Sequence, residues 1–534
     1  MQSQKGKEHE VGDALIATRQ SVAGNLVRSP VTKAGYSETM SFIAIVVIGL
    51  AAWLLWTVVY NLYLNPLAKF PGPKLAACTN LQNIYWTLTG QEHYKFKELH
   101  DKYGDVVRTG PTSLVYRSPQ AWKDIYGHRK SGAGSFLKDP SVYIRGPRGP
   151  NIVNADDEDH SRLRRLFLPA FSERALRDQE DLVQSYVDLL VQRLNGEISA
   201  SRSTVDLSRW YNFTTFDIIG DLAFGEPFGC LRDSNYHPWV KMIFGSMKLL
   251  AMQRPLGIYP FLAPIVRKLT PKRLTKMRQE HFALSIDKVH RRLATKTERP
   301  DFMTYVMRFG DERSMSTQEL EANAALMIVA GSETTATLLS GLTYYMLGNP
   351  SAYQKATSEV RAAFKSYSDI NVFRVSKLNY LNAAFEEALR VYPPAPGITP
   401  RVVPKGGAAI DGEFIPGGTS VSGAHYSTYH AASHFKHADA FIPERWLYPK
   451  DKEFDSDCRA AFQPFSLGPR NCIGRNLAYA EMRLIAAKIL WSFDMSLDES
   501  SSEWNVQKSY IVWERKPLLV RLSQPPHSRR EGDY

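Results

Sequence analysis

Cysteine is the first shortage: 534 residues carry only Cys78, Cys230, Cys458 and Cys472, far apart and in no C-x-x-C pairing. So sparse a set excludes a disulfide framework and a zinc site, and it fits a reducing compartment. Also missing are a P-loop and a G-x-G-x-x-G turn after a strand, so the chain encodes no nicotinamide or flavin domain of its own. The net charge of +12 is not gathered into a long Lys/Arg block with interleaved aromatics. Its densest stretch, Lys272 to His281, reads as one polar helix face, which argues against a nucleic-acid groove. No internal repeat is present, and glycine and proline are spread rather than concentrated, so a largely disordered chain is excluded.

What is present is a globular composition, 44% hydrophobic and 22% charged, with one long apolar run. No charged residue occurs from Thr39 to Ala68, and the run Phe42–Tyr60 is almost unbroken. As a helix it reaches roughly 28 Å, close to the thickness of a hydrocarbon core. Trp53, Trp56 and Tyr60 gather toward one end as interfacial aromatics do, and no small-residue cleavage pattern follows. Residues 40–62 are therefore expected to be a retained transmembrane anchor. Arg28 and Lys33 on one side are matched by Lys69 and Lys74 on the other, so the flanking charges set no orientation. Residues 1–39 are polar, aperiodic and expected to be disordered. Met40 stands directly before the apolar run, so the preceding segment is read as an upstream extension of the reading frame; a peptide spanning Val11 to Arg19 would refute this. Residues 63–76 hold Pro66, Pro71 and Pro73, which exclude a helix and predict a stiff extended hinge.

Residues 77–522 are expected to form the catalytic body, mainly helical by apolar spacing, with residues 523–534 a loose tail. Strand-like patches lie at Pro400–Gly423 and Tyr510–Leu522. The segment from Ser316 to Pro350 opens on a capping box, Ser316 with Glu319, and ends at Gly348, which predicts one unusually long helix.

Near the C-terminus, Cys472 sits in "PFSLGPRNCIG" between Gly468 and Gly474. Glycines there permit a sharp bend and close approach of a flat ligand. The following residues have helical periodicity, so the sulfur lies near a helix N-terminus where the dipole favours thiolate. Arg470 adds a cation suited to an anionic ligand edge. Taken alone, a cysteine in such a loop is more often a small buried hydrophobe than a ligand.

The full pattern is more specific. Phe465, Gly468, Arg470, Cys472 and Gly474 match F-x-x-G-x-R-x-C-x-G, and the chain here resembles the cytochrome P450 family of haem-thiolate monooxygenases. Other segments carry the same resemblance: Glu387 and Arg390 of "EEALR" with Arg445 of "PERW", and Ala330-Gly331-Ser332-Glu333-Thr334-Thr335 within the long helix. The resemblance covers roughly Asn65 to Leu522. It implies a mainly α fold with small β-sheets, preceded by the single transmembrane helix, and a haem b (iron protoporphyrin IX) whose axial metal ligand is Cys472. It implies that Arg470, Arg401, Arg164 and His160 hold the propionates and that Gly331 opens space beside the haem. It further implies that Thr334 and Glu333 manage proton delivery, their hydroxyl and carboxyl groups disrupting the helix to hold water, and that Glu387, Arg390 and Arg445 form a structural ion-pair cluster. The family often has tryptophan at the position of His160.

By the same resemblance the enzyme inserts one oxygen atom from O2 into an apolar small molecule by hydroxylation or epoxidation. Electrons come from an NADPH-cytochrome P450 reductase, with cytochrome b5 as a second donor. The implied location is the endoplasmic reticulum membrane, single-pass, with the catalytic domain in the cytosol. The stretches "NPLAKFPGPKL", "DIIGDLAFGEPFG" and "FIPERWL" are most similar to fungal members, which act on intermediates of secondary metabolism. Rival readings are a desaturase or ring-rearranging enzyme on the same fold, a non-catalytic haem-binding sensor, and a membrane-tethered scaffold without haem. Candidate pocket walls are Ser141 to Val153, Met327, Ala330, Ala395 to Thr399 and Tyr510, while Met252 to Ile265 is a candidate membrane contact. Asn212 heads the only N-glycosylation sequon and should stay bare if the body faces the cytosol.

Overall fold

The computed structural model describes residues 31–129, 134–143, 149–237, 248–249, 251, 253–295, 297, 299–308, 315–449 and 451–526. The chain up to Leu64 is a unit of its own, the helix Val31–Val59 running into a π-turn over Tyr60–Leu64. The helix begins upstream of Met40, so part of the segment expected to be disordered is helical; residues 1–30 lie outside the described residues. Within Met40–Leu64 the most apolar 18 residues have a mean hydropathy of 2.6, and Phe42, Ile45, Ile48 and Leu55 all stand exposed. An apolar surface bare along its length calls for lipid, at about 25 cal/mol per Å² otherwise left in water.

The second unit is Asn65–Tyr534. Its first residues correct the expected extended hinge. Asn65–Phe70 folds into successive turns, with Ala68 N–H donating to Asn65 O at 2.8 Å and Phe70 N–H to Leu67 O at 3.1 Å. Leu67 and Phe70 are buried in an apolar cluster with Tyr116 and Trp122, and Pro71 O accepts from Arg108 N–H at 2.7 Å. Nor do the prolines exclude a helix across this span, since the π-turn reaches Leu64 and the helix Lys74–Cys78 starts directly after Pro73; between them the two apolar side chains pin the strap to the body.

The body is organised around the helix Thr317–Leu347. Ser316 and Glu319 close a capping box at its start and Gly348 caps its end, as the sequence predicts. It is apolar enough to cross a membrane, yet 72% of its most hydrophobic window is buried, which makes it a core helix. Against it lies Leu207–Phe224, buried at every residue but Arg209, and Tyr211 Oη meets Thr343 Oγ1 at 2.8 Å between the two. The helices Glu173–Ser199, Asn379–Val391 and Arg475–Ser492 complete this core.

The sheets are small. The largest runs, in spatial order, Val106–Gly110, Ser113–Tyr116, Ser420–Gly423, Arg401–Val402 and Leu137–Lys138. Its one parallel pairing joins Ser113–Tyr116 to Ser420–Gly423, and the others are antiparallel. The Pro400–Gly423 patch thus supplies two of these strands and the hairpin Ala408–Ile410 with Glu413–Ile415. The late patch forms the hairpin Ser509–Tyr510 with Val512–Trp513, and Leu519–Ser523 pairs with Thr204–Asp206 and Asp494–Leu497.

Candidate active site

Cys472 lies on a bend just before the helix Arg475–Ser492, whose N-cap is Gly474. Its N–H donates to Phe465 O at 2.9 Å, which closes the loop. Gly468 sits at φ +67°, and a Cβ there would fall 2.1 Å from Tyr126 O, so only glycine fits. Gly474 is at φ −84° and a Cβ would meet only Phe171 at 3.8 Å, so space does not demand glycine there. Cys472 and Pro469 are the exposed residues of this loop, and the others are half-buried. Burial pushes the thiol up, opposed by the Gly474 N–H, Arg164 and Arg475. The amide at the helix terminus thus acts in the expected direction, against the burial that raises the thiol.

Four cationic side chains share the space around this loop. Arg401 stands on a strand whose register partner is Lys138, and its guanidinium lies 5.7 Å over the Tyr126 ring. It is 5% exposed, and its Nε and Nη1 have no partner among the described residues. Arg470 donates from Nη2 to Asp157 Oδ1 at 2.8 Å and leaves Nη1 without a partner. Arg164 spends its donors on the cysteine loop itself, Nη1 to Asn471 O at 2.8 Å and Nη2 to Asn471 Oδ1 at 2.5 Å. Lys138, which sequence reasoning missed, has its pKa driven well down by burial and then by Arg401 and Arg470. His160 is buried rather than an exposed helical histidine, and burial together with Arg470, Arg164 and Lys138 lowers it to about 4. Burying this much positive charge with orphaned donors is costly unless an anion completes the set. The donors suit the paired carboxylates of a haem, and the open sulfur suits its iron.

On the central helix, Ala330 and Thr334 stand one turn apart on an accessible stripe, while Thr335 is buried. Thr334 Oγ1 donates to Ala330 O at 2.6 Å and Ser332 Oγ to Ile328 O at 2.5 Å. The helix runs unbroken through this motif, so the expected local disruption is absent from the backbone. Gly331 serves a different contact from the one expected: a Cβ would fall 2.7 Å from Ile219 Cδ1, so its bare face admits the Leu207–Phe224 helix. Glu333 is fully buried and held by Arg515, whose Nη2 donates to Glu333 Oε2 and to Asn212 Oδ1, both at 2.7 Å. Burial raises the Glu333 carboxyl and Arg515 opposes this. Asn212, 2% exposed and so engaged, has no room for a glycan in the folded body.

Beneath the loop, Glu387 gathers donors from four residues. Arg390 Nη2 reaches Oε1 at 2.7 Å and Nε reaches Oε2 at 2.9 Å; Arg445 Nε reaches Oε1 at 3.1 Å; Ile442 N–H and Trp446 Nε1 donate at 2.9 and 2.8 Å. Arg390 also donates to the carbonyls of Tyr429, Ala438 and Ala440, and Arg445 to Asp457 at 2.5 Å. These bonds tie the Asn379–Val391 helix to the irregular chain leading to Cys472.

A cavity of about 410 Å³ opens between the largest sheet and the segment around Arg254, and Ser141, Val142 and Ile398 of the expected pocket walls line it. Residues 144–148 of that stretch, and Met252, lie outside the described residues. Met327 belongs to the apolar core instead, while Tyr510 is buried beside an exposed Ile511 at φ 79°. Among the described residues no group of three or more His, Cys, Asp or Glu could hold a metal ion.

The cytochrome P450 family profile matches residues 71–522. The chain is 53% identical over 484 residues to cytochrome P450 monooxygenase astJ of Aspergillus oryzae, covering 90% of this chain and 97% of that one. It is 48% identical to cytochrome P450 monooxygenase efuB of Hormonema carpetanum, over 87% of this chain and 93% of that one. The trichothecene C-15 hydroxylase of Fusarium sporotrichioides is 44% identical, over 88% and 96%. With a profile spanning nearly all of the second unit and relatives matched over almost their full length, the chain belongs to the cytochrome P450 family, as a monooxygenase of the fungal secondary-metabolite type.

Proposed function

We propose that this monooxygenase holds haem b through Cys472 and inserts one oxygen atom into an apolar small molecule of a biosynthetic pathway. One observation carries the reading: Arg470, two residues before the exposed Cys472, and Arg401, which feels the Arg470 charge, both have buried guanidinium nitrogens without partners among the described residues. Haem would supply dioxygen binding and the two-electron chemistry that the protein's own groups lack. The chain's residues do the rest. Arg401, Arg470, Lys138 and His160 would donate to the propionates, while Arg164 fixes the loop that presents the sulfur. Thr334 would hold a proton-donating water on the accessible stripe beside Ala330, and Glu333 would restore its proton from behind.

Because no nucleotide-binding turn is encoded, electrons would come from an NADPH-cytochrome P450 reductase with cytochrome b5 as a second donor; the net charge of +12 favours an acidic docking face. The exposed helix Met40–Leu64 is read as the anchor in the endoplasmic reticulum membrane, with the body in the cytosol. Phe261, Ile265 and Leu269 are exposed at four-residue spacing, which extends the expected membrane contact by one turn. Lipid there would concentrate apolar substrate.

Co-expression with a reductase and feeding of pathway extracts test the proposal. The expected result is an NADPH-dependent product heavier by one oxygen. Loss of two hydrogens would instead favour the desaturase reading, and no product with a normal carbonyl spectrum would favour a non-catalytic haem protein.

A further inference from the structure

Resting on the monooxygenase reading, the geometry points to Arg515 as a positioning residue that sets the orientation and charge of Glu333 for proton delivery. Three observations carry this. Arg515 and Glu333 form an ion pair with side chains 3% and 0% exposed, so neither charge is shared with bulk solvent. Arg515 Nη2 is braced by Asn212 Oδ1 on the Leu207–Phe224 helix, which fixes the guanidinium from a second side. The pair is also incompletely satisfied: Glu333 Oε1 and Arg515 Nε and Nη1 have no partner among the described residues. A purely structural buried pair is stabilised by filling every position. This one instead leaves one carboxylate oxygen and two N–H groups buried without partners among the described residues, on the residue next to Thr334 and on its ion-pair partner, and an internal water would satisfy them.

The chemistry balances without a net change in the protein. A water at Oε1 takes the proton that Glu333 releases toward the Thr334 side, and solvent returns one proton to Glu333. Per turnover without substrate, NADPH, H⁺ and O2 give NADP⁺ and H2O2, or two NADPH, two H⁺ and O2 give two NADP⁺ and two H2O. Arg515 keeps Glu333 ionisable against the burial that raises it. The other titratable groups that sense this pair are Asp206, Tyr236 and Tyr392. Arg515 lies just beyond the Val512–Trp513 strand, so its side chain links the late hairpin to Glu333 on the Thr317–Leu347 helix.

The test uses full-length holoenzyme with reductase, reading substrate-free NADPH oxidation and the water-to-H2O2 split in H2O and D2O. Arg515→Gln is expected to slow oxidation by about tenfold, less than the roughly hundredfold or more of a general acid because Arg515 acts only through Glu333, and to enlarge the solvent isotope effect. Arg515→Lys, which keeps the charge, should recover most of the rate. Glu333→Gln should show the same defect, and the double variant should be no slower than Glu333→Gln alone. That double variant carries no buried charge, so it remains informative where Arg515→Gln fails to fold. A holo Arg515→Gln with the wild-type rate and isotope response, or defects that multiply in the double variant, would overturn the inference. A wild-type protein with no NADPH-dependent oxidation would instead defeat the monooxygenase reading itself.

Discussion

Replacing Glu387 by alanine probes what holds the chain leading to Cys472 in place. The carboxylate is fully buried and serves Arg390, Arg445, Trp446 and the Ile442 N–H at once. Without it Arg390 keeps only the carbonyls of Tyr429, Ala438 and Ala440, while Arg445 retains Asp457. A buried ion that loses its counter-charge costs about 3–5 kcal/mol. The orphaned indole and amide donors add about 1–3 kcal/mol each. The loss is therefore about 5–11 kcal/mol, against a typical total stability of about 5–15 kcal/mol. Glu387→Ala should scarcely accumulate as folded, haem-loaded protein. Glu387→Gln, which keeps one acceptor, should fold with a clearly lowered urea midpoint. Glu280→Gln, which breaks an exposed pair with Lys276, should shift the midpoint by at most about 0.5 kcal/mol. Urea unfolding followed by tryptophan fluorescence, with haem yield alongside, measures all three. A Glu387→Ala protein unfolding at the wild-type midpoint would refute the reasoning.

Other outcomes follow from single contacts. Thr334→Ala should keep a normal carbonyl spectrum but release more H2O2 per NADPH, whereas buried Thr335→Ala should mainly lower stability; equal peroxide yields would contradict the assignment of the accessible hydroxyl. Gly331→Ala should lower stability by about 1–3 kcal/mol through the clash with Ile219, and Ile219→Val, which deletes the nearest atom, should restore part of it in a double-mutant cycle. Buried imidazoles make the protein acid-sensitive: burial holds His93 at about 3 and His425 at about 4, below the ordinary 6.5. Unfolded histidines take up protons that the folded ones refuse, so stability is full above pH 6.5 and is lost as pH falls from there toward 4. His93→Phe, which leaves a ring among Tyr94, Tyr426 and Trp513, should flatten that acid limb in unfolding scans taken at several pH values.

Features written in consecutive residues were legible from the chain alone. The capping box at Ser316, the glycine at 468 forced by Tyr126 O, and the i, i+3 pair Glu387–Arg390 each declare themselves within a few positions. Arg515 did not, because its partner Glu333 is distant in sequence and "VWERKPLL" reads as an ordinary strand edge. Lys138 was hidden in the same way, made visible only by its register with Arg401. Neighbours across the fold were not legible either: a Cβ on Gly331 would meet Ile219, and Met327 packs into the core. The hinge misled because proline content reports what a segment avoids, while Leu67 and Phe70 decide where it docks. Charge is the least legible property, since the Cys472 loop carries both a helix terminus and a burial cost and only the fold decides which prevails.

The central claim is that one sulfur holds the iron of a haem, and the ferrous carbonyl difference spectrum of Cys472→Ala tests it most directly. The account predicts that the thiolate-type carbonyl band of the wild-type protein disappears in the variant, together with NADPH-dependent turnover. A variant that retains both would contradict it.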